Sequence, residues 1–143
     1  MKAVGFRKPL PITDPSSLLD LDLPDPVATG RDLLVEVKAI SVNPMDTKMR
    51  AGMMPGNGDP TVLGWDAAGI VKATGPAATQ FKVGDAVWYS GTNQRPGTNS
   101  ALHLVDERLV GRKPASLDFS QAAAMPLTTA MHVQVQIADA TKK

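Results

Sequence analysis

The sequence predicts a mainly β domain, built as an antiparallel, partly closed β-barrel with two or three short helices. Twelve glycines and twelve prolines are spread along the 143 residues, and they divide the chain into short segments at intervals typical of all-β domains. Several segments alternate apolar and polar residues with the period of a half-buried strand. Signals for the start of a helix occur at two places, so helices are a minor part of the prediction.

The strands follow from alternation and from β-branched content. Leu19, Leu21 and Leu23 alternate with aspartates, which predicts a strand with one apolar face. The strongest strand pattern covers residues 33–42, which are rich in valine and isoleucine. The other predicted strands are residues 1–6, 65–74, 86–90, 101–105 and 109–112.

The first helix is predicted at an Asn-Pro pair. Asn43 precedes Pro44, and Asn is favoured before a helix while Pro is favoured at its first position. We therefore expect one or two helical turns over residues 44–50. Asp46 and Arg50 are four residues apart on that helix, so we expect them to pair.

The end of the chain carries a second helix signal and a last strand signal. Asp118 and Gln121 have the spacing of a capping box, which predicts a helix that Pro126 limits. Residues 132–137 alternate His, Val, Gln, Val, Gln and Ile, which predicts a further strand.

Composition argues against several functional classes. The chain has 15 basic and 14 acidic residues, for a net charge of +1, so electrostatics gives no reason to expect nucleic acid or an anionic membrane as a partner. No apolar run approaches the ~20 residues that span a bilayer. The absence of cysteine excludes disulfides, thiolate zinc sites and a cysteine nucleophile. We expect a cytoplasmic protein.

Two apolar runs that contain glycine organise the middle of the chain. They are residues 63–71, Leu-Gly-Trp-Asp-Ala-Ala-Gly-Ile-Val, and residues 83–88, Val-Gly-Asp-Ala-Val-Trp. Glycine inside a strand marks a bulge, a barrel corner or the close approach of a ligand. These residues alone leave open whether the runs form only a corner of the barrel or also part of a binding site.

Four stretches of the chain match one known pattern in order and spacing: residues 41–50, 63–71, 81–88 and 122–130. Together they resemble the N-terminal, GroES-like catalytic domain of the medium-chain dehydrogenase/reductase superfamily, and within it the zinc-free quinone oxidoreductases and zinc-type alcohol dehydrogenase-like proteins. The resemblance implies a GroES-like domain over residues 1–130 and a tail outside the family pattern over residues 131–143. Family members continue into a nucleotide-binding Rossmann domain, and this sequence has no G-x-G-x-x-G phosphate loop.

The resemblance also argues against zinc. Zinc-binding members carry a Gly-His-Glu motif and a cysteine, whereas this chain has Gly64, Trp65 and Asp66 at the motif and no cysteine. Tryptophan cannot ligate a metal, and one aspartate is not a site. We therefore expect no metal ligands in this chain.

By resemblance, the reaction is hydride transfer from NADPH or NADH to a quinone or to an activated C=C or C=O bond. The cofactor supplies the hydride, and the protein must stabilise charge that develops on the substrate oxygen. Asn43 is the candidate catalytic donor and cofactor contact, with capping of the following helix as its alternative role. A hydroxyl of Thr128 or Thr129 is expected at the nicotinamide ring or its carboxamide, with Thr129 as the catalytic candidate. Local hydroxyl-to-backbone bonds are the alternative.

The remaining site candidates are less specific. Lys48 is expected near a phosphate or a substrate oxygen, with a solvated helix position as the alternative. Trp65 and either Met53 or Met54 are expected as apolar walls for a flat substrate, with Met53 as the first candidate, and core packing is the alternative for Trp65. Asp66 is expected to accept hydrogen bonds from loops around the pocket, and Tyr89 to be a second donor.

Three functions remain open on this basis. The first is the substrate-side domain of an NAD(P)H-dependent quinone or enone reductase, inactive alone because the nucleotide grip is missing. The second is a non-catalytic GroES-like module for protein association, and the third is a folded fragment without activity. The surface near residues 128–131 would be exposed and partly apolar, which favours self-association.

Overall fold

The structure, a computed structural model, describes residues 1–53 and 60–129. It is mainly β, with two antiparallel sheets and two short α-helices, in agreement with the predicted fold class. A π-helical stretch, Met49–Met53, follows the first helix, and a 3-10 turn, Glu107–Leu109, precedes the last strand. The strands and helices are β1 (Lys2–Phe6), β2 (Leu19–Asp22), β3 (Asp32–Ser41), α1 (Pro44–Lys48), β4 (Thr61–Val62), β5 (Asp66–Thr74), β6 (Ala86–Ser90), β7 (Leu102–Asp106), β8 (Val110–Arg112) and α2 (Phe119–Ala123).

The smaller sheet has the order β2-β1-β4 and the larger one the order β7-β3-β5-β6-β8. Among the described residues neither sheet closes on itself. Strand β1 contacts the segment just before β7, at an isolated bridge between Ala3 and Ser100 and through the N–H of Val4, which donates to the carbonyl of Asn99 at 2.8 Å. The two sheets remain distinct.

The pairing of β3 with β5 positions the functional site. Its register runs from Leu33 opposite Thr74 to Ser41 opposite Asp66, with two irregularities on the way. A Cβ on Gly69 would collide with the backbone carbonyl of Glu36, so this close approach of the two strands requires glycine. The end of the ladder brings Asp66 beside the residues that lead from β3 into α1.

The larger sheet buries both of its faces over much of its area. One face carries the main apolar core, and the other packs α2, whose Ala122 and Ala123 contact Ala68 of β5. Alternate residues of a strand point to opposite faces, so neighbouring positions in β5 and β6 have different surroundings. The main core consists of Leu33, Val35, Ala67, Val71, Val87, Tyr89 and Val105.

Most predicted elements are present in the described residues. The short strand β4 was not predicted, because two residues carry no readable periodicity. The expected pair of Asp46 with Arg50 is wrong: a guanidinium N–H of Arg50 donates to the carbonyl of Leu10 at 2.8 Å, and Asp46 accepts from the N–H of Asn43. The predicted strand at 132–137 lies outside the described residues. In the ranges that the structure describes, no helix is long and apolar enough to cross a membrane.

Candidate functional site

Asp66 links three separate parts of the chain. Its Oδ2 accepts a hydrogen bond from Nδ2 of Asn43 at 2.7 Å, and its Oδ1 accepts one from the backbone N–H of Leu127 at 2.7 Å. Its backbone carbonyl accepts from the hydroxyl of Thr98 at 3.1 Å. The residue is fully buried, with a relative exposure of 0%. We refer to Asn43, Asp66 and Leu127 as the Asp66 cluster.

Opposing effects set the pKa of the Asp66 carboxyl. Burial raises the pKa above its ordinary value, while the hydrogen bonds from Asn43 and Leu127 lower it and the nearby charge of Asp46 raises it. The result is a raised pKa. The two N–H donors are therefore what stabilises the ionised carboxylate inside the fold.

Asn43 lies at the start of α1, as predicted, with an extended backbone. Its backbone N–H donates to Oδ2 of Asp46 at 2.8 Å. Its side-chain nitrogen donates to Asp66 and, at 3.3 Å, to the carbonyl of Ser41. Both side-chain partners are acceptors, so the orientation of the amide is determined by its surroundings. Both side-chain N–H groups of Asn43 therefore have acceptors within the fold.

Thr128 and Thr129 lie on a helical turn over residues 126–129, and both are exposed. The turn is held by two backbone N–H groups: that of Leu127 donates to Asp66, and that of Thr129 donates to the carbonyl of Met125 at 2.9 Å. The cluster thus brings this turn next to Asn43. Lys48 ends α1 and is exposed.

Trp65 is half-buried beside the cluster. It also lines a cavity of about 260 Å³ together with the polar loop at 92–97 and residues 60–64. The loop was not among the predicted site residues, because no local pattern distinguishes it from other surface loops. Met53 belongs to the π-helical stretch, and its side chain lies outside the described part. Trp65 packs against Phe6, Met49 and Leu63.

The structure does not bring Tyr89 to the cluster. Tyr89 is opposite Ala67 in the β5–β6 ladder, and since Ala67 and Asp66 are adjacent in β5, their side chains point to opposite faces of the sheet. The side chain of Tyr89 is buried in the main core, and its hydroxyl lies 3.1 Å from Nδ1 of His103. In this structure Tyr89 therefore packs in the core and does not line the candidate site.

The buried Tyr89–His103 pair has a defined hydrogen-bond direction. Nε2 of His103 lies 3.0 Å from the carbonyl of Pro96, which can only accept, so Nε2 carries the proton and Nδ1 accepts from the hydroxyl of Tyr89. Burial lowers the pKa of His103 to about 4 and raises the pKa of Tyr89. Both side chains are therefore neutral near neutral pH.

The residues at this site do not fit zinc. Within the described ranges, no three His, Asp or Glu side chains come together as a possible metal site, and the sequence has no cysteine. Both carboxylate oxygens of Asp66 already accept hydrogen bonds from N–H groups, and Trp65 beside it has no ligand atom.

Two members of the site are not among the residues predicted from the sequence. Leu127 contributes only its backbone N–H, and Thr98 contributes a hydroxyl from a loop. Pro126 begins a helical turn and has no N–H, so the following N–H needs an acceptor outside the helix. Pro126 therefore predicts that the N–H of Leu127 needs an acceptor. The sequence does not identify that acceptor as Asp66, which is 61 positions away.

The comparisons with known proteins agree with this architecture. A sequence profile described as the alcohol dehydrogenase GroES-like domain matches residues 29–134. A zinc-type alcohol dehydrogenase-like protein of Staphylococcus epidermidis is 40% identical over 128 residues, which cover 90% of this chain and 38% of the relative. This chain therefore corresponds to a minor part of that relative.

Solved structures match over a similar share. A crystal structure from Rhizobium etli, provisionally assigned as a zinc-dependent alcohol dehydrogenase, is 59% identical with a TM-score of 0.87 and covers 91% of this chain and 38% of that one. The Escherichia coli quinone oxidoreductase complexed with NADPH is 31% identical with a TM-score of 0.76 and covers 87% of this chain and 37% of that one. Both matched chains are much longer than this one.

Proposed function

Since the chain belongs to the alcohol dehydrogenase GroES-like domain family, we propose that it is the substrate-side domain of an NAD(P)H-dependent oxidoreductase. The proposed reaction reduces quinones or activated C=C or C=O bonds by hydride transfer without zinc. The Asp66 cluster carries this proposal, because Asp66 accepts hydrogen bonds both from Asn43, 23 positions away in sequence, and from Leu127 in the turn with Thr128 and Thr129, 61 positions away. The similarity to an NADPH-complexed quinone oxidoreductase supports it.

Asn43 is proposed as the donor to the substrate oxygen. Its 2.7 Å bond to the Asp66 carboxylate is charge-assisted and strong, whereas its 3.3 Å bond to the carbonyl of Ser41 is long and weak. The second N–H can therefore leave Ser41 for an oxygen that gains negative charge, while Asp66 keeps the amide in place. Such a donor is most valuable when it is oriented before the charge develops.

Thr129 and Thr128 are proposed to contact the cofactor. Their hydroxyl groups are on an exposed turn that adjoins the cluster, so they suit hydrogen bonds to a nicotinamide carboxamide. When bound, the reduced nicotinamide supplies the hydride. Lys48, exposed at the end of α1, is proposed to approach a phosphate or a substrate oxygen.

The substrate is proposed to bind beside Trp65. The cavity of about 260 Å³ next to this side chain is near the lower end of the volumes of small-molecule sites, and the indole offers an apolar wall to a flat ring. Met53 is proposed as a second wall. Asp66, which is fully buried, is proposed to accept hydrogen bonds from the segments around the pocket. We also propose that the protein acts in the cytoplasm.

A domain exchange tests the proposal. This chain replaces the matched segment of the Rhizobium etli protein, and oxidation of NADPH and NADH is followed by the absorbance of the reduced nicotinamide with a benzoquinone or an enone as acceptor. We expect turnover that a zinc chelator leaves unchanged. Asn43→Ala and Thr129→Ala should each lower kcat about 100-fold. Thr47→Ala, which removes an exposed hydroxyl on α1, is the matched control and should keep normal turnover.

Two outcomes would contradict the proposal. One is a folded chimera that binds the cofactor and reduces neither acceptor, and the other is turnover that appears only when zinc is added. For the 143-residue chain alone we expect no turnover and no binding of NADPH in calorimetry, because the sequence has no G-x-G-x-x-G loop to hold the pyrophosphate. Micromolar binding by the isolated chain would remove that part of the proposal.

A further inference from the structure

We propose that Asp66 is a positioning residue that fixes two sides of the reaction site relative to each other. One side is the amide of Asn43, and the other is the turn at 126–129 that carries Thr128 and Thr129. This role rests on the proposed function, since both sides are the groups assigned to substrate and cofactor. Asp66 acts through them and does not itself touch the reacting atoms.

The division of the carboxylate between its partners is the first argument. Each oxygen accepts one short hydrogen bond, Oδ2 from Asn43 and Oδ1 from Leu127, both at 2.7 Å. The carboxylate is planar and rigid, and the residue is fully buried. Two segments that are 23 and 61 positions away in sequence are therefore held at a fixed separation by one group.

The turn at 126–129 depends on this contact for its cap. The first N–H groups of a helix have no acceptor within the helix, and Pro126 has no N–H at all. The N–H of Leu127 is consequently the first one that requires an acceptor. Asp66, at the start of β5, is that acceptor and so caps the turn. An anion at this end of a helical turn is also electrostatically favourable. Without it, the backbone that carries Thr128 and Thr129 loses this hydrogen bond to β5.

Only a carboxylate can serve both partners at once. Asn43 and Leu127 are both donors, and the Asp66 side chain offers one acceptor oxygen to each. An asparagine at position 66 has a single acceptor oxygen. It can therefore retain one partner in its present orientation but not both, which makes Asp66→Asn a nearly isosteric test of the link.

The direct test uses hydrogen exchange by NMR on the 143-residue chain, with two probes. These are the backbone amide of Leu127 and the side-chain amide protons of Asn43. In Asp66→Ala both probes should exchange about tenfold faster or more, and in Asp66→Asn at least one of them should. If Asp66→Ala does not fold, Asp66→Asn carries the test alone. Unchanged exchange at both probes in Asp66→Asn would overturn the proposal.

Glu107→Gln is the matched control. Glu107 is also a fully buried carboxylate, but it accepts from the N–H groups of Thr79 and Gln80 and from Arg31. Its replacement should lower the melting temperature and leave the exchange of Leu127 and Asn43 unchanged. Faster exchange at both probes in this control would mean that general destabilisation, and not the Asp66 link, is being measured, and would overturn the proposal.

The consequence for the reaction is measured in the chimera. Asp66→Asn should lower kcat about tenfold or more while KM changes little, because misplaced groups fail mainly in the transition state. Glu107→Gln should keep kcat. A normal kcat in Asp66→Asn, together with faster exchange at either probe, would overturn the positioning role. An inactive chimera with Asp66 intact would contradict the proposed function, whereas the exchange experiment reads the link independently.

Discussion

Acidification below pH 6.5 should destabilise this domain through His103. The pKa of His103 falls from 6.5 to about 4 on burial. Between these values the unfolded chain binds a proton that the folded protein does not, so the free energy of unfolding falls as the pH falls from 6.5 toward 4. This difference between the pKa values of the unfolded and folded states lowers the free energy of unfolding by about 3 kcal/mol once both states are protonated. Above pH 6.5 the contribution is constant.

The structural cause is burial, because the charged form of the ring would lose its hydration. His103 is 5% exposed, its Nδ1 accepts from the hydroxyl of Tyr89, and its Nε2 donates to the carbonyl of Pro96. The charge of Arg95 opposes protonation further. A proton on Nδ1 would thus place a buried charge against a hydroxyl that is oriented as a donor.

Urea unfolding followed by the fluorescence of Trp65 and Trp88 measures this effect at several pH values. We expect the free energy of unfolding of the wild type to fall by about 3 kcal/mol between pH 6.5 and pH 4 through this residue. His103→Gln keeps a donor for Pro96 but does not titrate, so its stability should be lower at neutral pH and lose this part of the pH dependence. An equal loss with pH in both proteins would refute the reasoning.

Two further predictions concern the close approach of two strands at Gly69 and the cap of α2 at Asp118. Gly69→Ala should lower the free energy of unfolding in urea by about 3 kcal/mol or more, because its Cβ would collide with the carbonyl of Glu36. The control Gly84→Ala, where φ is +95° and the space is open, should lower it by about 1 kcal/mol. Equal losses in the two variants would contradict this explanation. Asp118→Ala should lower stability by about 1 kcal/mol because it removes the cap of α2. The exposed neighbour Ser120→Ala is its control and should be neutral within about 0.5 kcal/mol, and a neutral Asp118→Ala would remove the capping argument.

Elements with local signals could be read from the sequence. Asn43 and Pro44 predict the start of α1, and Asp118 with Gln121 predicts the capping box of α2, which the structure confirms. The strand at Ala86–Ser90 has the predicted bounds. In each case the residues that specify the element are within a few positions of one another, so no knowledge of distant contacts is required.

Side-chain partners were harder to predict because they depend on register and on neighbouring segments. Arg50 has the spacing to pair with Asp46, yet it bonds to the carbonyl of Leu10, 40 positions away. Tyr89 carries a hydroxyl that could donate at the site, yet it pairs with Ala67, and its side chain therefore points into the main core. A shift of one residue in that pairing would have placed it on the other face.

The sequence by itself determined the family pattern and the lack of thiolate ligands, since both depend only on which residues are present and on their order. The resemblance also led to the prediction that Trp65 and Asp66 stand where zinc-binding members carry His and Glu. Only the tertiary structure decided which groups Asp66 contacts. Its partners, Asn43 and the N–H of Leu127, come from β-sheet pairing and chain reversal over 23 and 61 positions. A backbone N–H is present in every residue except proline, so no sequence pattern could have identified that of Leu127 as its partner.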